Sequence, residues 1–208
     1  MAVRMRLALA AVGAVIIGPA TGLAGTSGAN PAIASATLVD IHGNEVGQAL
    51  FTPRGDGSVV ARVEVSIDNT VTANPSDFHG MHIHANSVDS NGDGNPNDGC
   101  ITYPNEDRPA PTGWFTQVDG HWDTPELGAH SHGAHAGDLP SLLRQSDGEA
   151  EMEFVVDKFA AGDLPGRALI VHFHADDFGK YPGLGTSQNT GNAGLRYACG
   201  VIVPTANR

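Results

Sequence analysis

Hydrophobic and polar residues alternate along much of the chain with the period of a half-buried strand, most clearly from Ser58 to Asp68. There Val59, Ala61, Val63, Val65 and Ile67 fall on one face and Val60, Arg62, Glu64, Ser66 and Asp68 on the other. Shorter stretches of the same kind lie at 36–42, 45–52, 78–84, 150–156, 168–173 and 197–203. Glycine, proline, asparagine and aspartate separate them, and no helical period outlasts a turn or two. Seven or eight short strands predict an all-β Greek-key fold, an eight-stranded β-sandwich or flattened barrel. Two long segments, 85–149 and 174–195, carry little regular pattern, and such loops in a compact domain are usually functional. All of the ten histidines except His42 and His79 lie in or at the edges of these loops.

The N-terminus departs from this pattern. MAVRMR is followed by an apolar run from Leu7 to Ile17 and a small-residue tract ending in Ala34-Ser35-Ala36, the layout of a secretory signal. Gly18-Pro19 interrupts the run before it reaches the roughly 20 apolar residues of a membrane span. The expectation is a leader over 1–36, one domain over 37–208 starting near Thr37, and a secreted or extracytoplasmic location, with Ala24 as a second candidate cut. Charge narrows the partners: 23 acidic against 11 basic residues give −12, and loss of Arg4 and Arg6 leaves −14. Nucleic acid and anionic membrane surfaces, which need basic patches, are excluded as partners. The two cysteines, Cys100 and Cys199, form one disulfide or stay as two thiols, and an oxidising compartment favours the disulfide.

The candidate chemistry lies in the histidines. His82 and His84 in GMHIH are two apart on a strand, so their rings leave the same face and can meet one ion. Alone, an H-x-H pair is at least as often polar surface. Downstream come His121 in GHW, His130, the pair His135 and Asp138 in HAGDLP, and His172 at the end of ALIVH. Neutral imidazoles in a tetragonal set favour Cu(II), whereas three imidazoles with one carboxylate in a closed tetrahedron favour structural Zn²⁺. Other features have plainer readings. Asp89, Asn91, Asp93, Gly94 and Asn95 resemble the first half of a calcium loop, but Cys100 stands where its closing Glu would be, so this is read as a solvated turn. Trp114 and Trp122 are read as packing residues, and His42, His79 and His174 as having no metal role.

GMHIH, Gly99-Cys100, GHW followed by His130, HAGDLP, VHFHADD and GNAGLRYACGVI stand in an order and approximate spacing that resemble the copper/zinc superoxide dismutases, in their secreted bacterial form, over about residues 37–203. The resemblance implies His82, His84, His121 and His172 as copper ligands and His121, His130, His135 and Asp138 as zinc ligands, with His121 bridging. It implies Asp176 as a carboxylate bonded to a histidine of each site, a Cys100–Cys199 disulfide, and Arg196 as the arginine that guides the anion. The segment between His130 and His135 is shorter than the family's, and His132 competes with His130 there; His130 is preferred for its nine-residue distance from His121.

The implied activity is dismutation of superoxide by alternating copper states, with Arg196 and His121 as the catalytic side chains. The region before Arg196 lacks most of the charges that cytosolic relatives place along the channel, so steering rests on Arg196 and the metals. Two rivals are a non-enzymatic copper-binding or copper-delivery protein and a copper-only dismutase with a vestigial zinc loop. The intervals from His84 to Cys100 and on to His121 are enlarged, and this region shapes the subunit contact in the family. The oligomeric state is open, with a homodimer as one candidate.

Overall fold

The computed structural model describes residues 32–71, 76–87, 99–105, 109–124 and 131–205. The leader up to residue 31, the Asp89-to-Asn95 motif and His130 lie outside the described residues.

Strands β1 (Ala34–Val39), β2 (Glu45–Pro53) and β3 (Val59–Ser66) form an antiparallel meander, and β6 (Glu149–Val156) pairs with β3 from Val59 opposite Val156 to Ser66 opposite Glu149. β4 (Phe78–His84) lies between β5 (Asp138–Leu143) and β7 (Ala168–His172), and β7 pairs with β8 (Arg196–Val201). Val39 opposite Cys199 joins the two halves. The strand order is β5-β4-β7-β8-β1-β2-β3-β6, with the short β9 (Val203–Pro204) on β1. The ends of this path approach each other, because Arg144 bridges to Ala150 and the Gln145 N–H donates to the Glu149 carbonyl. The result is an all-β, nearly closed eight-stranded barrel whose β3–β4 and β6–β7 connections cross to non-neighbouring strands, as the Greek-key expectation requires.

The alternation at 58–68 means what it predicted: Val59, Ala61, Val63, Val65 and Ile67 are buried. Each buried side chain of this size contributes about 1.5–3 kcal/mol. The outward residues pair along and across strands, Arg62 lying 2.6 Å from Glu64 on β3 and 2.7 Å from Glu151 on β6. β4 differs, for it is buried on both faces from His79 to His84. Met81 and Ile83 belong to the hydrophobic core, while His82 and His84 leave the opposite face and are covered by loops.

Among the described residues, a strand and an α-helix lie inside the segments read as irregular, besides 3-10 turns at Pro111–Gly113 and Thr116–Val118. β5 is hidden in sequence because DLPSLL has no β-branched residue and contains Pro140, which cannot donate to a ladder. Pro140 is tolerated because β5 ends the path and its pairing with β4 shifts register between His79 and Met81. The other is one short polar helix, α1 (Gly185–Thr190). The expected domain boundary at 36/37 falls within β1, where Ala34 and Ala36 are buried and pair with Phe51 and Ala49. Trp114 and Trp122 are core residues, as read.

Candidate metal centre

β4 presents His82 and His84 on one face, and β7, paired directly with β4, ends in His172. His121 is brought alongside by an antiparallel bridge to His84, with the Trp122 N–H donating to the Ile83 carbonyl. One ring nitrogen from each of these four histidines lies within 4.8 Å of the others.

Their hydrogen bonds determine which nitrogen is free. His82 Nε2 lies 2.6 Å from Asp176 Oδ2, His84 Nδ1 2.8 Å from the Asp119 carbonyl, and His172 Nδ1 3.0 Å from the Gly194 carbonyl. Each partner is an oxygen acceptor, so each of these nitrogens carries the proton. The lone pairs are left on His82 Nδ1, His84 Nε2 and His172 Nε2. His84 Nε2 is buried with no hydrogen-bond partner, and His82 Nδ1 and His172 Nε2 face each other at 3.0 Å. Buried lone pairs pointed at one another repel unless a cation lies between them. Burial holds His82, His84 and His172 below the ordinary imidazole range, the last two far below, so they are neutral at neutral pH.

The second cluster grows from a turn. His132, His135 and Asp138 are spaced three apart, and Asp138 Oδ2 accepts the backbone N–H groups of Gly133 at 2.7 Å and His135 at 3.0 Å. Around Asp138 Oδ1 lie Nδ1 of His121 at 3.0 Å, of His132 at 3.1 Å and of His135 at 3.3 Å. Ligand atoms of His82, His121, His132 and Asp138 also fall within 4.8 Å of one another; because His82 Nδ1 faces His172, His135 completes this cluster better. His121 belongs to both groups: Nδ1 faces Asp138, and Nε2 is left for the other three histidines. Burial lowers the His121 pKa to about 4 against the opposing pull of Asp138. Burial also works against a charge on His132, but hydrogen bonds to Asp138 and Asp176 outweigh it and raise its pKa to about 9.

Asp176 joins the clusters. Its Oδ2 takes His82 Nε2 at 2.6 Å and its carboxylate takes His132 Nε2 at 2.7 Å, while Oδ1 accepts the Phe178 N–H at 2.7 Å. Burial alone would raise this carboxyl, yet the two imidazoles and the Phe178 amide hold it well below its usual range. Gly191, at φ +61, lies against this group, and a Cβ there would stand 1.9 Å from Asp176 Oδ1 and 2.2 Å from His132 Nε2. No side chain larger than hydrogen fits.

Arg196 borders the first cluster. Its Nη2 donates to the Asp119 carbonyl at 2.8 Å, 3.3 Å from His84 Nδ1, and its Nη1 donates to the Phe115 carbonyl. Phe115 and Asp119 both have positive φ, 52 and 65, which costs such residues about 1–3 kcal/mol each. Burial lowers the Arg196 pKa to about 10, which leaves the guanidinium charged at neutral pH. Cys100 and Cys199 form the disulfide, Cα atoms 5.5 Å apart, tying the loop that carries Asp119 and His121 to β8.

A sequence model of the family "Copper/zinc superoxide dismutase (SODC)" matches residues 45–202. The chain belongs to the copper/zinc superoxide dismutase family. With the family come its activity, dismutation of superoxide, and its metals, copper and zinc. A superoxide dismutase (Cu-Zn) of Mycolicibacterium paratuberculosis is 30% identical over 206 residues, 88% of this chain and 81% of that protein. Superoxide dismutase (Cu-Zn) 3 of Arabidopsis thaliana is 36% identical over 129 residues, 60% of this chain and 66% of the plant protein. Among solved structures, that of the clock protein EA4 matches with a TM-score of 0.58 and 26% identity over 85% of this chain and 96% of the other.

Of the residues named from sequence, the structure brings together His82, His84, His121, His172, His135, Asp138, Asp176 and Arg196. His130 lies outside the described residues, and His132, its competitor, is the buried imidazole beside His121 and Asp138. The equal spacing H-x-x-H-x-x-D of His132, His135 and Asp138 is a sequence signal that points to His132, against the preference for His130. Asp119 and Phe115, which act through backbone carbonyls, left no signal in the sequence.

Proposed function

We propose that this copper/zinc superoxide dismutase is secreted and holds copper on His82 Nδ1, His84 Nε2, His121 Nε2 and His172 Nε2, and zinc on His121, His132, His135 and Asp138, with His121 shared. The observation that carries this reading is the set of facing, buried lone pairs, His82 Nδ1 against His172 Nε2 at 3.0 Å with His84 Nε2 unpartnered. Their environment suits a cation. Copper, when bound, supplies the one-electron couple that oxidises one superoxide to dioxygen and reduces the next, which with two protons leaves as hydrogen peroxide. Three residues support that chemistry. Arg196 is held against two carbonyls beside His84 and presents a fixed positive charge to the incoming anion. His121, held on its Nδ1 side by the zinc cluster, can take a proton on Nε2 and pass it to the departing peroxide. Asp176 orients one imidazole of each cluster, fixing tautomer and ring plane together.

The leader with Arg4 and Arg6 and the Cys100–Cys199 disulfide support export. Because Ala34 and Ala36 pair within β1, a cut near Ala24 suits the fold better than one after Ala36. N-terminal sequencing of exported protein tests this, and Thr37 as first residue would overturn it. Metal analysis beside a superoxide-consumption assay tests the whole reading. One copper and one zinc per chain with fast consumption is expected, and copper binding without turnover would make the protein a carrier.

A further inference from the structure

The zinc-side turn has a second clamp. Asp138 gathers N–H groups of the turn, and three of its carbonyls converge on a cation from another strand connection. Lys158, just beyond β6, places Nζ 3.5 Å from the Gly133 carbonyl, 3.0 Å from that of His135 and 3.4 Å from that of Asp138. These three residues span the segment that carries His135 and Asp138 and follows His132. An ammonium has three donors and no acceptor, so three carbonyls saturate it.

We propose that Lys158 is a positioning residue for zinc: it caps the carbonyls of residues 133, 135 and 138 and orders the turn before the metal arrives. This inference rests on the zinc assignment above. Side chains add little support of their own, for 133–138 contains two glycines and two alanines, and the backbone is otherwise held by Gly137 bonding to Trp122 and Ile83 and by the Asp138 N–H on the His135 carbonyl. Without the ammonium, these three carbonyls lose a charged donor, and the turn is less fully ordered before zinc binds. Ordering before binding raises affinity because the entropy of the loop is already spent. Two effects compete, since a nearby positive charge also repels Zn²⁺. The direct contacts are to the backbone, and the side chain reaches it from the partly exposed Lys158, where water screens the repulsion.

The test is zinc affinity of metal-stripped protein, measured by competition with a chromophoric chelator, for wild type, Lys158→Met and Lys158→Arg, with the visible spectrum of the Co²⁺-loaded forms as a readout of site geometry. Lys158→Met keeps the apolar stem and removes the donors. It is expected to bind zinc about tenfold more weakly, the lower end of what losing an outer partner of a metal ligand costs, and to broaden the Co²⁺ bands. Lys158→Arg keeps the charge but not three convergent donors, and falls between the other two. Unchanged or tighter zinc binding by Lys158→Met would overturn the proposal. Failure of the wild type to take up one zinc, or His132→Ala binding as well as wild type, would instead overturn the zinc assignment.

Discussion

The two side-chain clusters proposed as metal sites both include His121 but are built from different materials. On the side proposed for copper, three of four imidazoles stand on β4 and β7, whose backbone is held by ladder bonds on both sides, and each of these rings has its far nitrogen tied to an oxygen. On the side proposed for zinc, two imidazoles and a carboxylate come from a seven-residue segment, 132–138, held by the Asp138 carboxylate, by Lys158 and by a few backbone bonds to neighbouring segments. A strand positions side chains through contacts already required by the fold; a turn has to be held by its own side chains. Damage to the barrel should therefore be what disturbs the copper side, whereas damage to a few polar contacts should reach the zinc side first.

Breaking the comparison altogether needs the disulfide or the shared ring. In the chain-entropy model, closing a loop of sequence separation 99 stabilises the fold by up to about 4.7 kcal/mol. Cys100→Ala with Cys199→Ala should lower urea stability by a few kcal/mol, with copper-side spectra retained in the fraction that remains folded; unaltered midpoints would show the tether to be idle. His121→Ala removes a ligand from both clusters. Zinc affinity should fall by more than about a hundredfold, beyond the loss expected of an outer partner, and the copper spectrum should change with it. Full zinc affinity in this variant would refute the shared assignment.

Asp176→Ala sharpens the contrast, because it strips one outer partner from each side equally. Zinc affinity should drop roughly ten- to a hundredfold, and copper affinity less, since His82 remains seated in β4. A larger loss at copper than at zinc, read by chelator competition, would contradict the strand-versus-turn distinction. Arg196 belongs to neither cluster, and its replacement should spare both metals. Arg196→Glu should cut the catalytic rate about tenfold to a hundredfold, roughly 1.4–2.8 kcal/mol, with Ala between Glu and wild type and with the salt dependence weakened or reversed. Equal rates for the Ala and Glu variants would leave Arg196 a loop-packing residue. The smallest effect should come from the exposed cross-strand pair: Arg62→Ala should cost less than about 1 kcal/mol, with no change in either metal site.

Much of this molecule is legible in one dimension. Period-2 alternation is local, so β3 and the strands near it can be read from residues that are neighbours in the chain. His82 and His84 share a face for the same reason, and the ligand types themselves narrow the metals. β5 is not legible, because Pro140 and the absence of β-branched residues erase the pattern and only pairing with β4 makes DLPSLL a strand. Small residues at 34–36 suit a leader boundary and serve equally well as the start of β1.

The sequence by itself determined the fold class, the donor residues available and the two cysteines that could pair, since these depend on residue identity and short spacing. Tertiary structure decided which nitrogen of each ring is free, because the partners Asp119, Asp176 and Gly194 lie 22 to 94 residues away. It also brought His132 to His121 and Asp176, and set Lys158 on a turn 20 to 25 residues earlier in the chain. Backbone carbonyls carry no sequence signature, and it is through theirs that Phe115 and Asp119 hold Arg196. Their contribution exists only once the chain has folded back upon itself.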